Sequence, residues 1–357
     1  MRSPRLAEPA HDDGRPRLRV VIATPLAREL VELIARDERL DVVWEPELLT
    51  DPEIDWMTGP KQRTPEEQVR YEALLDSAEV LFGVPDQSGR ALARTVAANP
   101  RLRWVHTIPA GGGQQVRAAR LSPDALERVV FTTSAGVHAT PLAEFAVLGV
   151  LAGAKRLPWL QGMQRAHRWG PREPLGLLGE TTVLVVGLGR IGRLTASMLT
   201  GLGCHVVGVH RHEVEAEVER IVPVAELAAA ASEADAVVLA LPGTDETRGM
   251  LSAEVLARIK PGATVVNVGR GTTVDEPALV EALRDGRVGL AVLDVTAVEP
   301  LPDDSPLWDM PNVVLAPHTA AISPHEPRLI AELFAENARR FLAGDPLLNV
   351  VNTREFY

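Results

Sequence analysis

The chain has a single cysteine, Cys204, in 357 residues. One thiol excludes an intramolecular disulfide framework and suits a reducing, cytoplasmic setting. Long apolar runs are also missing. Charged residues, Gly or Pro interrupt every candidate before it reaches the about 20 residues a bilayer-spanning helix needs, so no membrane partner is expected. Positive charge is short: 37 Lys and Arg face 48 Asp and Glu, a formal charge of -11. That balance argues against a nucleic-acid partner or an anionic lipid surface. Segment 1–17 lacks the apolar stretch of a signal peptide. Being polar and rich in Pro, Arg and Asp, it reads as a disordered tail.

What remains is the composition of a soluble globular protein, 46% hydrophobic and 24% charged. The length exceeds one ordinary core, so two domains are expected. In the first half short β-rich runs (18–23, 41–44, 80–84, 103–107 and 129–132) alternate with helical patterns such as 26–36, 65–76 and 88–98. A long, mostly apolar helix over 141–156 follows, with Pro141 in its first turn. Having few polar positions, it should be buried between domains or against another subunit. After a polar Trp- and Pro-containing stretch (159–174), six more strands are read: TTVLVVG, HVVGVH, AVVLALP, ATVVNVG, VGLAVLDV and NVVLAP. A final amphipathic helix over 323–342 leaves this series, and the tail LLNVVN is free to return to the first domain. Alternating strands and helices imply parallel pairing, hence an α/β fold with two Rossmann-like doubly wound sheets and a cleft between them.

TTVLVVGLGRIGRLTASMLTGLG reads as strand, glycine turn, then helix. Gly187 permits the turn, Gly189 lets backbone approach a pyrophosphate, and Gly192 lets the helix pack closely on the sheet. The amides around Arg190 and Ile191 then face the phosphates with the helix dipole behind them. The alternative is a turn that merely needs glycines. The next strand ends in Val209-His210-Arg211-His212, where NAD-binding folds usually place an acid for the ribose hydroxyls. An arginine there can neutralise a 2′-phosphate instead, so NADP is favoured over NAD, unless Arg211 is simply a solvated residue. His205, His210 and His212 lack the Cys or acid pattern of a metal site, and no metal is expected.

Three polar residues follow, each at or just beyond an apolar run. Arg270, in VNVGRG, can fork onto a substrate carboxylate and polarise the adjacent carbonyl, or pair with a structural acid. His318, in LAPHTA, can exchange a hydroxyl proton near neutral pH, although a lone strand-end histidine is more often structural. Glu299, in LDVTAVEP, would orient that imidazole and stabilise its charged form, or stand as an unpartnered loop carboxylate. Asp294 either points toward a nicotinamide or caps the turn after its strand. A cation, an acid and an imidazole downstream of a nucleotide loop are the parts needed to move a hydride to or from a carboxylate-bearing substrate.

These segments resemble the D-isomer-specific 2-hydroxyacid dehydrogenase family, NAD(P)-dependent enzymes that include glyoxylate/hydroxypyruvate reductases and phosphoglycerate dehydrogenases. LLGETTVLVVGLGRIGR, LPGTDETRGML, VVNVGRGTTVDEPAL, AVLDVTAVEPLP and LAPHTAA carry the resemblance, which runs from about residue 101 to the C-terminus. It implies that Arg270 binds and activates substrate, that His318 is the acid/base and Glu299 its partner, and that Asp294 meets the nicotinamide. It further implies that Leu241, Pro242, Thr247 and Val268 line the cofactor groove beside His210 and Arg211. WVHTIPAGGGQ is similar to the family's substrate loop, which places carboxylate-binding amides at Ala110, Gly111 and Gly112. The family also implies a discontinuous substrate domain (18–140 and 323–357), a cofactor domain (141–322), and a homodimer built around helix 141–156.

The chain departs from the family pattern at three places. No acid follows the second strand of the cofactor domain, Ala240 stands where many members carry His, and Gly112 and Gly113 replace bulkier residues. The last change suggests a more mobile loop or a roomier pocket. The expected activity is hydride exchange between NADP or NAD and a small 2-keto or D-2-hydroxy acid. The alternatives are a dinucleotide-binding scaffold of corepressor type, since fold alone does not settle function, and a hydride enzyme for phosphite or formate.

Overall fold

A computed structural model of the chain describes residues 17–51, 61–354 and 356. Apart from Arg17, the tail read at 1–17 lies outside the described residues. The chain divides into two compact units, Met1–Val137 with Pro324–Tyr357, and His138–Ser323.

The first unit is built on a parallel sheet of β1 (Leu18–Ile22), β2 (Leu40–Val43), β3 (Val80–Phe82), β4 (Trp104–His106) and β5 (Val130–Thr132), in the order β2-β1-β3-β4-β5. Val20, Val21, Ile22, Leu81 and Phe82 are buried, as a sheet covered on both faces requires. Its helices are α1 (Arg28–Ile34), α2 (Pro65–Asp76), α3 (Gly89–Ala98), α4 (Gly113–Ala118) and α5 (Pro123–Arg128). Helix α2 starts where the sequence specifies a start. Thr64 accepts from the Glu67 amide, Glu67 reaches back to the Thr64 amide, and Pro65 opens the first turn.

The chain's last helix, Glu326–Ala343, belongs to this unit. It begins three residues later than its apolar pattern suggests, because Pro327 is tolerated only in a first turn. Its Phe334 stacks on Trp104 at 4.8 Å and meets Phe82 edge-on at 5.1 Å, closing the core. The tail does return to this unit: Val350 bridges Thr132, and Asn349 Nδ2 donates to the Thr133 and Ala135 carbonyls at 3.2 and 2.7 Å.

The second unit opens with α6 (Ala139–Ala154) and α7 (Leu157–Arg165). Its strands are β6 (Thr182–Val186), β7 (His205–Val209), β8 (Arg220–Val222), β9 (Ala236–Leu239), β10 (Ala263–Asn267), β11 (Val288–Leu293) and β12 (Val313–Leu315), all parallel. Four helices lie between them, α8 (Arg190–Gly201), α9 (Leu227–Glu233), α10 (Ala253–Arg258) and α11 (Glu276–Arg284), and the last helix of the chain completes the series as α12. The sheet order β12-β11-β10-β9-β6-β7-β8 reverses at β6, whose carboxyl end is therefore the topological switch point.

Two elements differ from the sequence reading. The sheet has a seventh strand, β8, whose three residues are too few to show alternation and which pairs only along the sheet edge with β7. Helix α7 occupies the stretch read as a polar connection. It is short, Pro158 and Gly162 interrupt its pattern, and it buries no residue completely. Helix α6 is buried by its own unit: Ala143, Ala146 and Val150 are covered, while Leu148 on the other face is 51% exposed.

Candidate active site

The glycine loop lies at the switch point. Gly187 has φ +96°, a conformation side chains resist, and a Cβ on Gly192 would sit 1.8 Å from the Gly187 carbonyl oxygen. The fold itself therefore requires both glycines. Gly189 is different, because a Cβ there meets nothing within 4 Å. Gly189 is the N-cap of the twelve-residue α8, and the first amides of such a helix have no intrahelical partner. Leu241 lies against Gly187, its Cδ2 2.8 Å from the position of a Cβ there. Thr247 Oγ1 donates to the Pro242 carbonyl at 2.6 Å, closing the loop that follows β9. Val268 is buried in the core on the α6 side of the sheet.

Just past β7, His210 Nδ1 lies 3.0 Å from the His212 carbonyl oxygen, which curls the backbone tightly and leaves Arg211 exposed. The Glu246 carboxyl is held below its ordinary range, chiefly by a hydrogen bond from Thr244, with a smaller contribution from the Arg211 charge. His205 stands at the opposite end of the strand, 2.5 Å from Glu219.

The chemistry-bearing residues lie on three neighbouring loops at the carboxyl ends of β10, β11 and β12. After β10, Asn267 Nδ2 and Thr273 Oγ1 both donate to the Arg270 carbonyl, at 3.0 and 2.6 Å. Asn267 Oδ1 accepts the Gly269 amide at 3.0 Å. The backbone is clamped while the guanidinium stays exposed, donating to the Gly269 carbonyl at 2.7 Å. Among the described residues it forms no ion pair, so the structural pairing considered from sequence is not made.

After β12, His318 adopts φ +53°, uncommon for a residue with a side chain. Asp294, at the end of β11, holds it there. The Asp294 carbonyl accepts the His318 amide at 2.9 Å, and its Oδ1 accepts the Thr319 and Ala320 amides, each at 2.9 Å. Burial raises the Asp294 carboxyl above its ordinary range, opposed by the Ala320 amide, the His318 charge and the Thr319 amide.

Glu299 Oε2 lies 2.7 Å from His318 Nδ1, and its Oε1 accepts the Thr296 amide at 3.1 Å. A carboxylate on Nδ1 assigns the proton to that nitrogen and leaves Nε2 as the one that exchanges protons. The unpartnered-carboxylate alternative for Glu299 is thereby removed.

In the first unit, the Gly112 amide donates to the Pro109 carbonyl at 3.1 Å. Gly112 is buried, and a Cβ on it would lie 1.7 Å from Thr107 Oγ1. Its bareness thus serves packing rather than a mobile loop or a wider pocket. The amides of Ala110 and Gly111 donate to no protein group among the described residues. Sequence reasoning passed over Asn267 and Thr273. The visible signal was Asn267 itself, a polar residue ending an otherwise apolar buried strand.

A sheet that reverses at a glycine loop, with an arginine and a carboxylate–imidazole pair on the neighbouring loops, defines a dinucleotide-binding domain of the oxidoreductase kind. Residues 147–320 match the family profile described as D-isomer specific 2-hydroxyacid dehydrogenase, NAD binding domain. A glyoxylate reductase of Korarchaeum cryptofilum is 37% identical over 240 residues, which are 64% of this chain and 71% of that protein. A solved D-isomer specific 2-hydroxyacid dehydrogenase from Xanthobacter autotrophicus Py2, in complex with NADPH and MES, superposes with a TM-score of 0.75 at 31% identity, covering 95% of this chain and 100% of that one. The D-3-phosphoglycerate dehydrogenase of Mycobacterium leprae is 32% identical over 310 residues, 84% of this chain. This chain spans only 55% of that longer relative. The chain belongs to the D-isomer-specific 2-hydroxyacid dehydrogenase family.

Proposed function

We propose that this protein reduces a small 2-keto acid to the D-2-hydroxy acid, and runs the reverse oxidation, with a nicotinamide cofactor. The observation that carries this reading is the Glu299–His318 pair at 2.7 Å, on loops adjoining the one that presents the exposed Arg270. The cofactor site passes a test of fit, because the bareness of Gly189 is unexplained by the protein's own packing and suits close approach of a pyrophosphate. A bound nicotinamide supplies or accepts the hydride. Arg270 orients the substrate carboxylate and polarises its carbonyl. His318 Nε2 gives a proton to the forming hydroxyl, and Glu299 stabilises the imidazolium beforehand. Asp294 keeps His318 in its strained backbone conformation and is assigned to the nicotinamide side of the site.

Within the same reading, Gly187 to Gly192, Leu241, Pro242, Thr247 and Val268 border the cofactor, and unit His138–Ser323 is the cofactor domain. The other unit is the substrate domain, with the amides of Ala110 and Gly111 as its anion donors. We favour NADP over NAD because Arg211, not an acid, follows β7. A cytoplasmic homodimer is proposed as well. Leu148, Leu177 and Trp169 are 51%, 58% and 101% exposed, an apolar series extending from α6 through the segment after α7 that a second copy would cover. The test is NADPH and NADH consumption with a panel of 2-keto acids, beginning with glyoxylate and hydroxypyruvate, in wild type and Arg270→Ala. Turnover that Arg270→Ala abolishes supports the reading. Tight cofactor binding without turnover of any acid overturns it in favour of a dinucleotide-binding scaffold.

A further inference from the structure

The segment carrying Glu299 has no regular secondary structure between Val295 and Pro300. Its internal bonds, Thr296 amide to Glu299 Oε1 and Thr296 Oγ1 to the Val298 carbonyl at 2.8 Å, fix its local shape but not its place on the sheet. Placement comes from the element after Arg270. Gly271 is pressed so closely to this segment that a Cβ would lie 1.9 Å from the Thr296 carbonyl oxygen. Glu276, at the start of α11, extends its Oε2 to accept the Ala297 amide at 2.8 Å. Apart from Glu299–His318, that bond is the single hydrogen bond among the described residues from 295–299 to another element.

We propose that Glu276 is a positioning residue: by holding the Ala297 amide it places Glu299 against His318 and sets the spacing between that pair and Arg270. A carboxylate suits the task. It accepts a charge-assisted bond, stronger than a neutral one, and its negative charge is favoured at a helix N-terminus. Glu276 is only half-buried, so its replacement leaves the core intact.

The proposal rests on the reaction assigned above, and its test separates the two. Glu276→Ala should lower kcat/KM for glyoxylate by about tenfold or more, since small misplacements of catalytic groups are costly, with NADPH affinity unchanged. Glu276→Gln, which keeps an acceptor oxygen, should recover most of the loss. In a Glu299→Ala background the further change to Glu276→Ala should matter less than about twofold, as for residues acting through one another. An equal penalty in both backgrounds, a Gln variant as slow as Ala, or wild-type rates for Glu276→Ala would each overturn the proposal. Hydrogen exchange needs no turnover: peptides spanning 294–300 should exchange faster in Glu276→Ala, and unchanged exchange refutes the latch. If the wild-type protein reduces no acid, the assigned reaction fails and the latch is judged on exchange alone.

Discussion

Replacing Gly189 with alanine adds one methyl group where the protein has nothing within 4 Å to meet it. The backbone there, φ -71° and ψ -163°, is extended and open to any residue. Alanine caps a helix less well than glycine, by under about 1 kcal/mol, and the lower entropy of the unfolded chain with alanine returns about 0.4–1 kcal/mol. Folding stability should therefore scarcely move. A pyrophosphate seated on the amides of α8 would meet that methyl group, and loss of one hydrogen bond to a charged group removes about 1.5–3 kcal/mol. That is about ten- to a hundredfold in the Kd of NADPH. Gly192→Ala should behave in the opposite way, because its Cβ would lie 1.8 Å from the Gly187 carbonyl oxygen. Overpacking of about 1–3 kcal/mol should lower Tm by about 2–10 °C. Calorimetric titration with NADPH and cofactor-free thermal unfolding of both variants give the comparison. Wild-type affinity in Gly189→Ala, or an equal loss of Tm in the two variants, would refute the reasoning.

Glu299→Gln should reduce kcat/KM by about a hundredfold, within the range of general acid–base catalysis, with cofactor Kd unchanged; equal loss of cofactor affinity would contradict its assignment to His318. Arg211→Ala should lower the NADPH to NADH efficiency ratio, and Glu246→Gln should raise it by removing a carboxylate that shares the Arg211 charge. A ratio unmoved in both variants means that the residues after β7 do not select the cofactor. His106 is fully buried between Thr132 Oγ1 at 2.9 Å and Ser134 Oγ at 3.2 Å, and burial pushes it down to about 3. The unfolded chain therefore binds a proton that the native state refuses between about pH 6.5 and 3. Stability should fall with falling pH across that window, by up to about 1.4 kcal/mol per pH unit from this group. His106→Gln should flatten that part of the pH–Tm curve, and an unchanged slope would remove His106 as its source.

Much of the arrangement was legible because its signals are local. The runs LRVVI and TVLVV, apolar but for Arg19 and Thr182, read as strands buried on both faces, and Gly187, Gly189 and Gly192 announce a turn that a helix follows. Capping is equally local, as Thr64, Pro65 and Glu67 show. Strand β8 escaped notice because three residues are too few to show alternation, and helix α7 because Pro158 and Gly162 sit within nine residues that bury no side chain completely. Asp294 was readable as a polar strand end but not as the group that captures the Thr319 and Ala320 amides, 25 and 26 residues away.

By itself the sequence determined the order of the elements other than β8 and α7, the parallel α/β class and the residue types able to do hydride chemistry with a carboxylate substrate, since periodicity and turn chemistry act over a few neighbouring positions. Tertiary structure alone decided which of those residues meet. It joined Glu299 to His318, separated by 19 positions in the chain, clamped the Arg270 carbonyl with Asn267 and Thr273, and brought Glu276 to Ala297 across 21 positions. It also distinguished the three glycines of the loop, two required by packing and one left bare. Such pairings depend on how parallel strands bring their carboxyl ends side by side, and no local pattern encodes a hydrogen bond between loops that are distant in sequence.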